Sequence, residues 1–180
     1  MKERREIVAI VGGQSVSPQL LAQTQELGML LVEADFRIAT GGRGGVMEAA
    51  LRGGREANSW LEGRTMAILP SLKAEDANPY ADIVIPTGMN YARNTILVAM
   101  ADIVIAVGGG AGTLSEIALA WQHNKPIIAM DVEEGWSSRL AGLSLDQRRD
   151  DVVHAAKTPK EAVEKAVQLS KSRESSHGFV

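Results

Sequence analysis

Two side chains and three glycine turns equip this chain of 180 residues for chemistry on an anion. Arg93 stands in the first turn of a helical pattern starting near Tyr91. A cation there opposes the helix dipole by about 0.3–1 kcal/mol. A bound phosphate or carboxylate offsets that cost through charge-assisted hydrogen bonds. Glu116 lies just after the run Gly108-Gly109-Gly110-Ala111-Gly112-Thr113. It is either a carboxylate facing a ligand or the far half of a capping box, Thr113-Leu114-Ser115-Glu116. Arg43, inside Gly41-Gly42-Arg43-Gly44-Gly45, is either an anion clamp or a solvated side chain. The third turn is Gly12-Gly13-Gln14-Ser15. Such turns let a ligand approach the backbone, and the helix starts they open present free N–H groups to an anion. The residues expected to hold a phosphate are Gly12, Gly13, Ser15, Gly42, Arg43, Gly44, Gly109, Gly110, Gly112 and Thr113.

Several chemistries are excluded by residue type. A P-loop needs lysine after its last glycine, but Gly112 is followed by Thr113 and Gly45 by Val46. A dinucleotide fingerprint needs G-x-G-x-x-G after the first strand and an acid about 20 residues on. The chain has Gly12-Gly13-Gln14-Ser15-Val16-Ser17 instead, and Thr40-Gly41 where the acid belongs. There is no cysteine, hence no thiol nucleophile and no thiolate metal site. Ser15 lacks the G-x-S-x-G elbow of hydrolases. His123 suits a helix end, and His154 and His177 have no partner at ligand spacing, so no metal site is expected. Trp60, Trp121 and Trp136 read as packing or interface residues. A net charge of −3 and 4% aromatic content argue against a nucleic-acid partner. Lys2, Arg4 and Arg5 precede an apolar run, 7–11, that is shorter than a secretory core of about 7–15 residues. The longest apolar stretch, 96–107, is broken by Asp102, and a membrane span needs about 20 residues. A cytoplasmic protein with no membrane partner is expected.

The elements that must position these residues alternate in type. Apolar, β-branched strands are predicted at 7–11, 36–40, 65–69, 82–85, 102–107 and 126–130, with a short seventh near Val152-Val153. Helices are predicted from Ser17-Pro18 to about 33, and at 46–57, 91–101 and 114–123. A last helix opens at the capping box Thr158-Pro159-Lys160-Glu161. Residues 71–81 read as a polar loop, and whether it closes over a ligand stays open. Strands without internal polar residues are buried on both faces, which belongs to a parallel sheet. The expected fold is α/β: a doubly wound, mostly parallel, Rossmann-like sheet with helices on both faces. One domain is expected over 1–171, followed by a flexible tail, 172–180. In such a sheet ligands bind beyond the carboxyl ends of the strands, so the glycine turns share one rim.

The combined motifs resemble a known family. Gly108-Gly109-Gly110-Ala111-Gly112-Thr113-Leu114-Ser115-Glu116 is similar to the P-G-G-x-G-T-x-x-E motif of the LONELY GUY, or lysine decarboxylase-like, family. Thr40-Gly41-Gly42-Arg43-Gly44-Gly45-Val46-Met47-Glu48-Ala49-Ala50 resembles its T-G-G-G-x-G-I-M-E-A-A segment. Gly12-Gly13-Gln14-Ser15 matches its first turn, and Arg93 corresponds to the arginine of its M-H-x-R-K motif. The resemblance covers 7–130. It implies a Rossmann-like domain that binds nucleoside 5′-monophosphates. Active members cleave the N-glycosidic bond, releasing base and ribose 5-phosphate. Arg93 and Glu116 are then the catalytic residues. Glu116 stabilises positive charge on the ribose or activates water, and Arg93 holds the phosphate or assists departure of the base.

Some residues depart from that pattern. Gly108 replaces proline. Met89-Asn90-Tyr91-Ala92-Arg93-Asn94 lacks the histidine, sets the arginine one residue later and has asparagine for lysine. This variant is more similar to a sister branch that includes the molybdenum cofactor carrier protein, which binds a pterin phosphate without turning it over. A DNA-uptake protein with a Rossmann core is a further relative, disfavoured by a pI of about 5.7. The resemblance also implies a homo-oligomer, dimer or tetramer. Two functions stay open. One is a nucleoside 5′-monophosphate phosphoribohydrolase. The other is a non-catalytic carrier or sensor of a phosphorylated ligand such as molybdenum cofactor. Neither requires a cofactor beyond a bound nucleotide or molybdenum cofactor.

Overall fold

The computed structural model of the chain describes residues 4–132 and 135–177, with side chains in the last helix described to 172. Lys2 and residues 178–180 of the expected tail lie outside the described residues.

The first strand, β1 (Ile7–Gly12), shows why the sheet is central. Val8 and Ile10 enter one apolar cluster, while Ile7, Ala9 and Val11 enter another. Successive strand residues point to opposite faces, so a strand apolar at every position needs a cover on each face. β5 (Ile103–Val107) and β6 (Ile127–Met130) are likewise apolar throughout, and the apolar residues of β2 (Arg37–Thr40) and β3 (Thr65–Leu69) also divide between the two clusters. With β4 (Ile83–Pro86) and β7 (His154–Ala156) they form a seven-stranded sheet in the order β4-β3-β2-β1-β5-β6-β7. Every pairing is parallel.

Helices cover both faces. α1 (Pro18–Glu33), α2 (Val46–Glu56) and α6 (Pro159–His177) lie on one; α3 (Arg93–Met100), α4 (Ala111–Gln122) and α5 (Trp136–Leu140) lie on the other. This is the doubly wound α/β fold expected from the strand pattern. α1 starts as predicted: Ser17 Oγ accepts the Leu20 N–H at 3.1 Å ahead of Pro18. Leu20, Thr24, Leu27 and Leu31 are buried at helical spacing. α1 and α2 touch backbone to backbone where Gly28 faces Ala50 and Gly53 faces Gln25.

Three elements start or end elsewhere than the sequence reading placed them, and three short ones were not expected. α4 begins at Ala111 with Gly110 as its cap, not near 114. Thr113 and Glu116 therefore lie inside the helix, no side-chain cap bond forms, and the capping-box reading of Thr113-Leu114-Ser115-Glu116 is wrong. The glycine-rich run concealed the start, because glycine disfavours helix unless the context imposes it. β7 runs from His154, just beyond the expected Val152-Val153. α5 and two 3-10 turns, Ala74–Asp76 and Asn90–Ala92, were not expected. α6 continues to His177, into the segment expected as a tail. At its start, Thr158 Oγ1 accepts the Glu161 N–H at 3.1 Å, but the Glu161 carboxylate reaches Lys157 N, one residue before the cap.

After edge strand β4 the chain crosses back through α3 to the far side of β1. The strand order reverses there, which makes the β1/β5 boundary the switch point where such sheets bind ligands.

Candidate functional site

Beyond the carboxyl ends of β1 and β5 lies a cleft of about 500 Å³. Its walls come from the turns after β1, β2 and β5 and from the start of α3. Arg93 and Glu116 meet in it: Arg93 Nη1 donates to Glu116 Oε1 at 3.3 Å, and the two side chains are only 12% and 8% exposed. Arg93, the first residue of α3, lies against Gly41, where any side chain would overlap the guanidinium. Asn94 then ties α3 to α4, donating to Ser115 Oγ at 3.0 Å, while Ser115 Oγ donates to Gly112 O at 2.7 Å.

Burial sets the electrostatics. It pushes the Glu116 carboxyl up to about 7, against the pull of the Arg93 charge. Burial also lowers the pKa of Arg93; the Glu116 carboxylate opposes this, and the positive charge of Arg43 adds to it. The guanidinium nevertheless stays charged at any ordinary pH. Arg93 Nε is buried and has no hydrogen-bond partner. The cleft thus holds a largely buried cation beside a carboxyl that burial raises to about 7.

The turn after β5 is held from behind. Gly108 and Gly109 have φ of +56° and +90°, a left-handed conformation suited to glycine. Gly108 N donates to Ser137 Oγ at 2.8 Å, and Ser137 Oγ donates to Met130 O at 2.9 Å. Trp136 N donates to Gly109 O at 3.0 Å. Gly110 and Gly112, by contrast, have open space where a Cβ would stand. Packing does not demand glycine at either position.

Of the sequence-predicted residues, Gly12, Gly13, Arg43, Arg93, Gly110, Gly112, Thr113 and Glu116 line the cleft together. The other four are placed elsewhere. Ser15 is exposed off the cleft wall, although its neighbour Gln14 lines it. Gly42 donates its N–H to Thr40 Oγ1 at 3.0 Å, and its carbonyl accepts from Asn78 N at 2.8 Å and Nδ2 at 3.1 Å. Its polar groups are spent on the fold. Gly44 borders a neighbouring shallow groove with Glu48 and Asn78. The Gly109 carbonyl is engaged by α5, and its Cα lies where Thr113 leaves no room for a side chain.

Sequence reasoning missed Gly41, Met47, Asn90, Tyr91 and Asn94 as cleft residues and Ser137 as the prop of the β5 turn. The one-residue lengthening between Met89 and Arg93 was the available signal for Asn90 and Tyr91. Nothing local marked Ser137, which follows a different strand. His123, His154 and the tryptophans lie outside the cleft. His123 caps α4 and His154 pairs with Asp151, while the side chain of His177 is outside the described ones. Trp60 Nε1 donates to Asp82, Trp121 Nε1 donates to Asp146, and the Trp136 ring lies by Arg139. Among the described residues no group of three or more His, Cys, Asp or Glu is placed to hold a metal ion. Nor, among them, is any helix long and apolar enough to cross a membrane.

With this geometry in view, the model of the SLOG cluster4 family matches residues 5–163. The chain belongs to that family. Among solved structures, the SLOG chain is similar to the molybdenum cofactor binding protein of Rippkaea orientalis. Identity is 35%, coverage is 93% of this chain and 98% of that one, and the TM-score is 0.81. It is also similar to the molybdenum cofactor carrier protein of Chlamydomonas reinhardtii, with 29% identity, coverage of 93% and 99%, and a TM-score of 0.79. In sequence it is 28% identical over 142 residues to the cytokinin riboside 5′-monophosphate phosphoribohydrolase of Mycobacterium tuberculosis, covering 69% of this chain and 74% of that one. The LONELY GUY resemblance and its molybdenum cofactor sister branch both hold.

Proposed function

We propose that this SLOG protein carries a phosphorylated pterin of the molybdenum cofactor type as cargo, without turning it over. The observation that carries the reading is the pair of unencumbered glycines, Gly110 and Gly112, at the start of α4 beside the buried Arg93. Glycine kept where packing does not demand it leaves room for a ligand to reach the backbone. The first N–H groups of α4 lack helical partners and favour an anion. Arg93 adds a charge whose unpartnered Nε is buried at the cleft. A volume of about 500 Å³ falls in the range of small-molecule sites. The two molybdenum cofactor-binding relatives, covered almost end to end, add their weight.

A second reading, N-glycosidic cleavage of a nucleoside 5′-monophosphate, is favoured by one observation: Glu116 titrates near 7 in contact with Arg93. A carboxyl poised at working pH suits general acid–base catalysis. In that reaction water adds to the ribose C1′ while the C1′–N bond breaks. The base leaves with the bonding electrons and takes up a proton, and Glu116 accepts the proton from water.

Two measurements separate the readings. Protein purified from cells that make molybdenum cofactor is assayed for molybdenum and for oxidised-pterin fluorescence per chain. The same protein is incubated with AMP, GMP, CMP and UMP and chromatographed for free base. The carrier predicts pterin near one per chain and no base. Base release that disappears in Glu116→Ala overturns the carrier in favour of the glycosidase. Arg93→Ala is expected to weaken binding of ribose 5-phosphate at least tenfold by calorimetry, the scale of a charged hydrogen bond. Unchanged affinity removes Arg93 from the site.

A further inference from the structure

Resting on the reading that the cleft takes a phosphorylated ligand, we propose that Tyr91 selects for a planar heterocycle by offering its ring as the surface on which that heterocycle stacks. Tyr91 lines the cleft yet is 87% exposed. Its hydroxyl makes no hydrogen bond among the described residues, so no partner in the fold accounts for the side chain's placement.

The backbone under it is fixed by hydrogen bonds. Asn90 has φ of +50°, a left-handed conformation that asparagine, unlike most residues with a side chain, adopts readily. Its N–H donates to Pro70 O at 3.0 Å, at the end of β3. Thr87 Oγ1 donates to Leu69 O at 2.7 Å and accepts the Met89 N–H at 3.2 Å. These bonds anchor the segment to β3 and end it in the 3-10 turn that carries Tyr91. A well-anchored turn holding an exposed aromatic ring at a cleft points to a ligand as the missing partner.

The cleft is divided by chemistry. The β5 turn and α4 contribute Gly110, Gly112 and Thr113, while the β3 side contributes Pro70 and Tyr91, with Met47 nearby on α2. Strand order sets β3 and β5 three spacings apart, about 14 Å. A ligand with an anion at one end and a flat ring at the other matches that layout. An aromatic face binds any planar base or pterin with little loss of side-chain entropy. The low aromatic content of the chain is no obstacle, since one ring suffices for one heterocycle.

The test compares two probes that share a phosphate and differ in the ring. GMP carries the fused amino-oxo ring system that a pterin also presents, and ribose 5-phosphate carries none. Calorimetry on wild type, Tyr91→Ala, Tyr91→Phe and Arg93→Ala is expected to give four results. Wild type binds GMP more tightly than ribose 5-phosphate. Tyr91→Ala loses at least about fivefold for GMP and nothing for ribose 5-phosphate. Tyr91→Phe keeps wild-type affinity for both, and Arg93→Ala weakens both. If wild type binds ribose 5-phosphate but Tyr91→Ala leaves GMP affinity unchanged, the role of Tyr91 is overturned while the phosphate site stands. If wild type binds neither probe, the phosphate reading itself fails. Light scattering accompanies each variant: a drop in GMP affinity tied to a change of mass assigns Tyr91 to a contact between copies and overturns the stacking role.

Discussion

Glu116 is the residue at which chemistry and stability pull against each other. Its carboxyl is raised from an ordinary 4.5 to about 7 because burial penalises the anion more than Arg93 favours it. The folded state therefore holds the proton that the unfolded chain releases near its ordinary pKa. Stability is full below about 4.5, declines as pH rises from about 4.5 to about 7, and levels off above. The loss is on the order of 3 kcal/mol at 1.36 kcal/mol per pH unit. Glu116→Gln keeps a neutral side chain of the same shape and should remove this dependence. Urea unfolding of both proteins at pH 5 and pH 8 should show the wild type losing stability relative to the variant; parallel behaviour would put Glu116 in water, contrary to the structure. Arg93 was legible in the sequence as a cation in the first turn of a helix, and Glu116 only as one of two readings until the helix start at Ala111 removed the capping box. Which backbone groups of the turns are already engaged was not legible. Gly42 and Gly109 read the same as Gly110 and Gly112, and the difference lies in Thr40, Asn78 and Trp136, two of which come from other loops.

At the scale of elements, glycine does two opposed jobs. Gly28 and Gly53 let α1 and α2 cross in backbone contact, where an added Cβ would overlap the carbonyls of Ala50 and Gln25. Gly112, inside α4, has open space around it. Gly28→Ala should therefore destabilise, because overpacking costs about 1–3 kcal/mol or more and outweighs a helix-propensity gain of about 1 kcal/mol. Gly112→Ala should do the reverse, gaining about 0.5–1 kcal/mol while weakening ribose 5-phosphate binding. Thermal unfolding with calorimetric titration measures both signs. A Gly112→Ala protein that binds as tightly as wild type would show that no ligand uses the space. The central strands were readable from sequence because burial on both faces leaves them apolar at nearly every position. α5 and the turn at Asn90–Ala92 were not, since tertiary bonds to Gly108, Gly109 and Pro70 hold segments too short to show a period. The loop 71–81 was readable as a loop, yet not as one pinned to the β2 turn by Asn78.

For the whole molecule, the balance of charge decides which anions it can hold. The net charge is −3, which argues against a general positive field for a polyanion. The cations at the cleft are local: Arg93, buried, and Arg43 at its edge. A buried charge is screened little by salt, whereas surface contacts to a nucleic-acid backbone release counterions and lose affinity steeply. Ribose 5-phosphate should accordingly bind with an affinity that changes by less than about threefold between 50 and 200 mM salt, against the roughly 10³–10⁵-fold loss of a protein making 6–10 backbone contacts. A fluorescent single-stranded oligonucleotide should show no anisotropy change at 50 mM salt at protein concentrations up to about 100 µM, the weak end of non-specific binding. Tight oligonucleotide binding with a steep salt slope would mean that cations outside the cleft act together, and that the anion recognised is a polymer's backbone and not the phosphate of one small molecule.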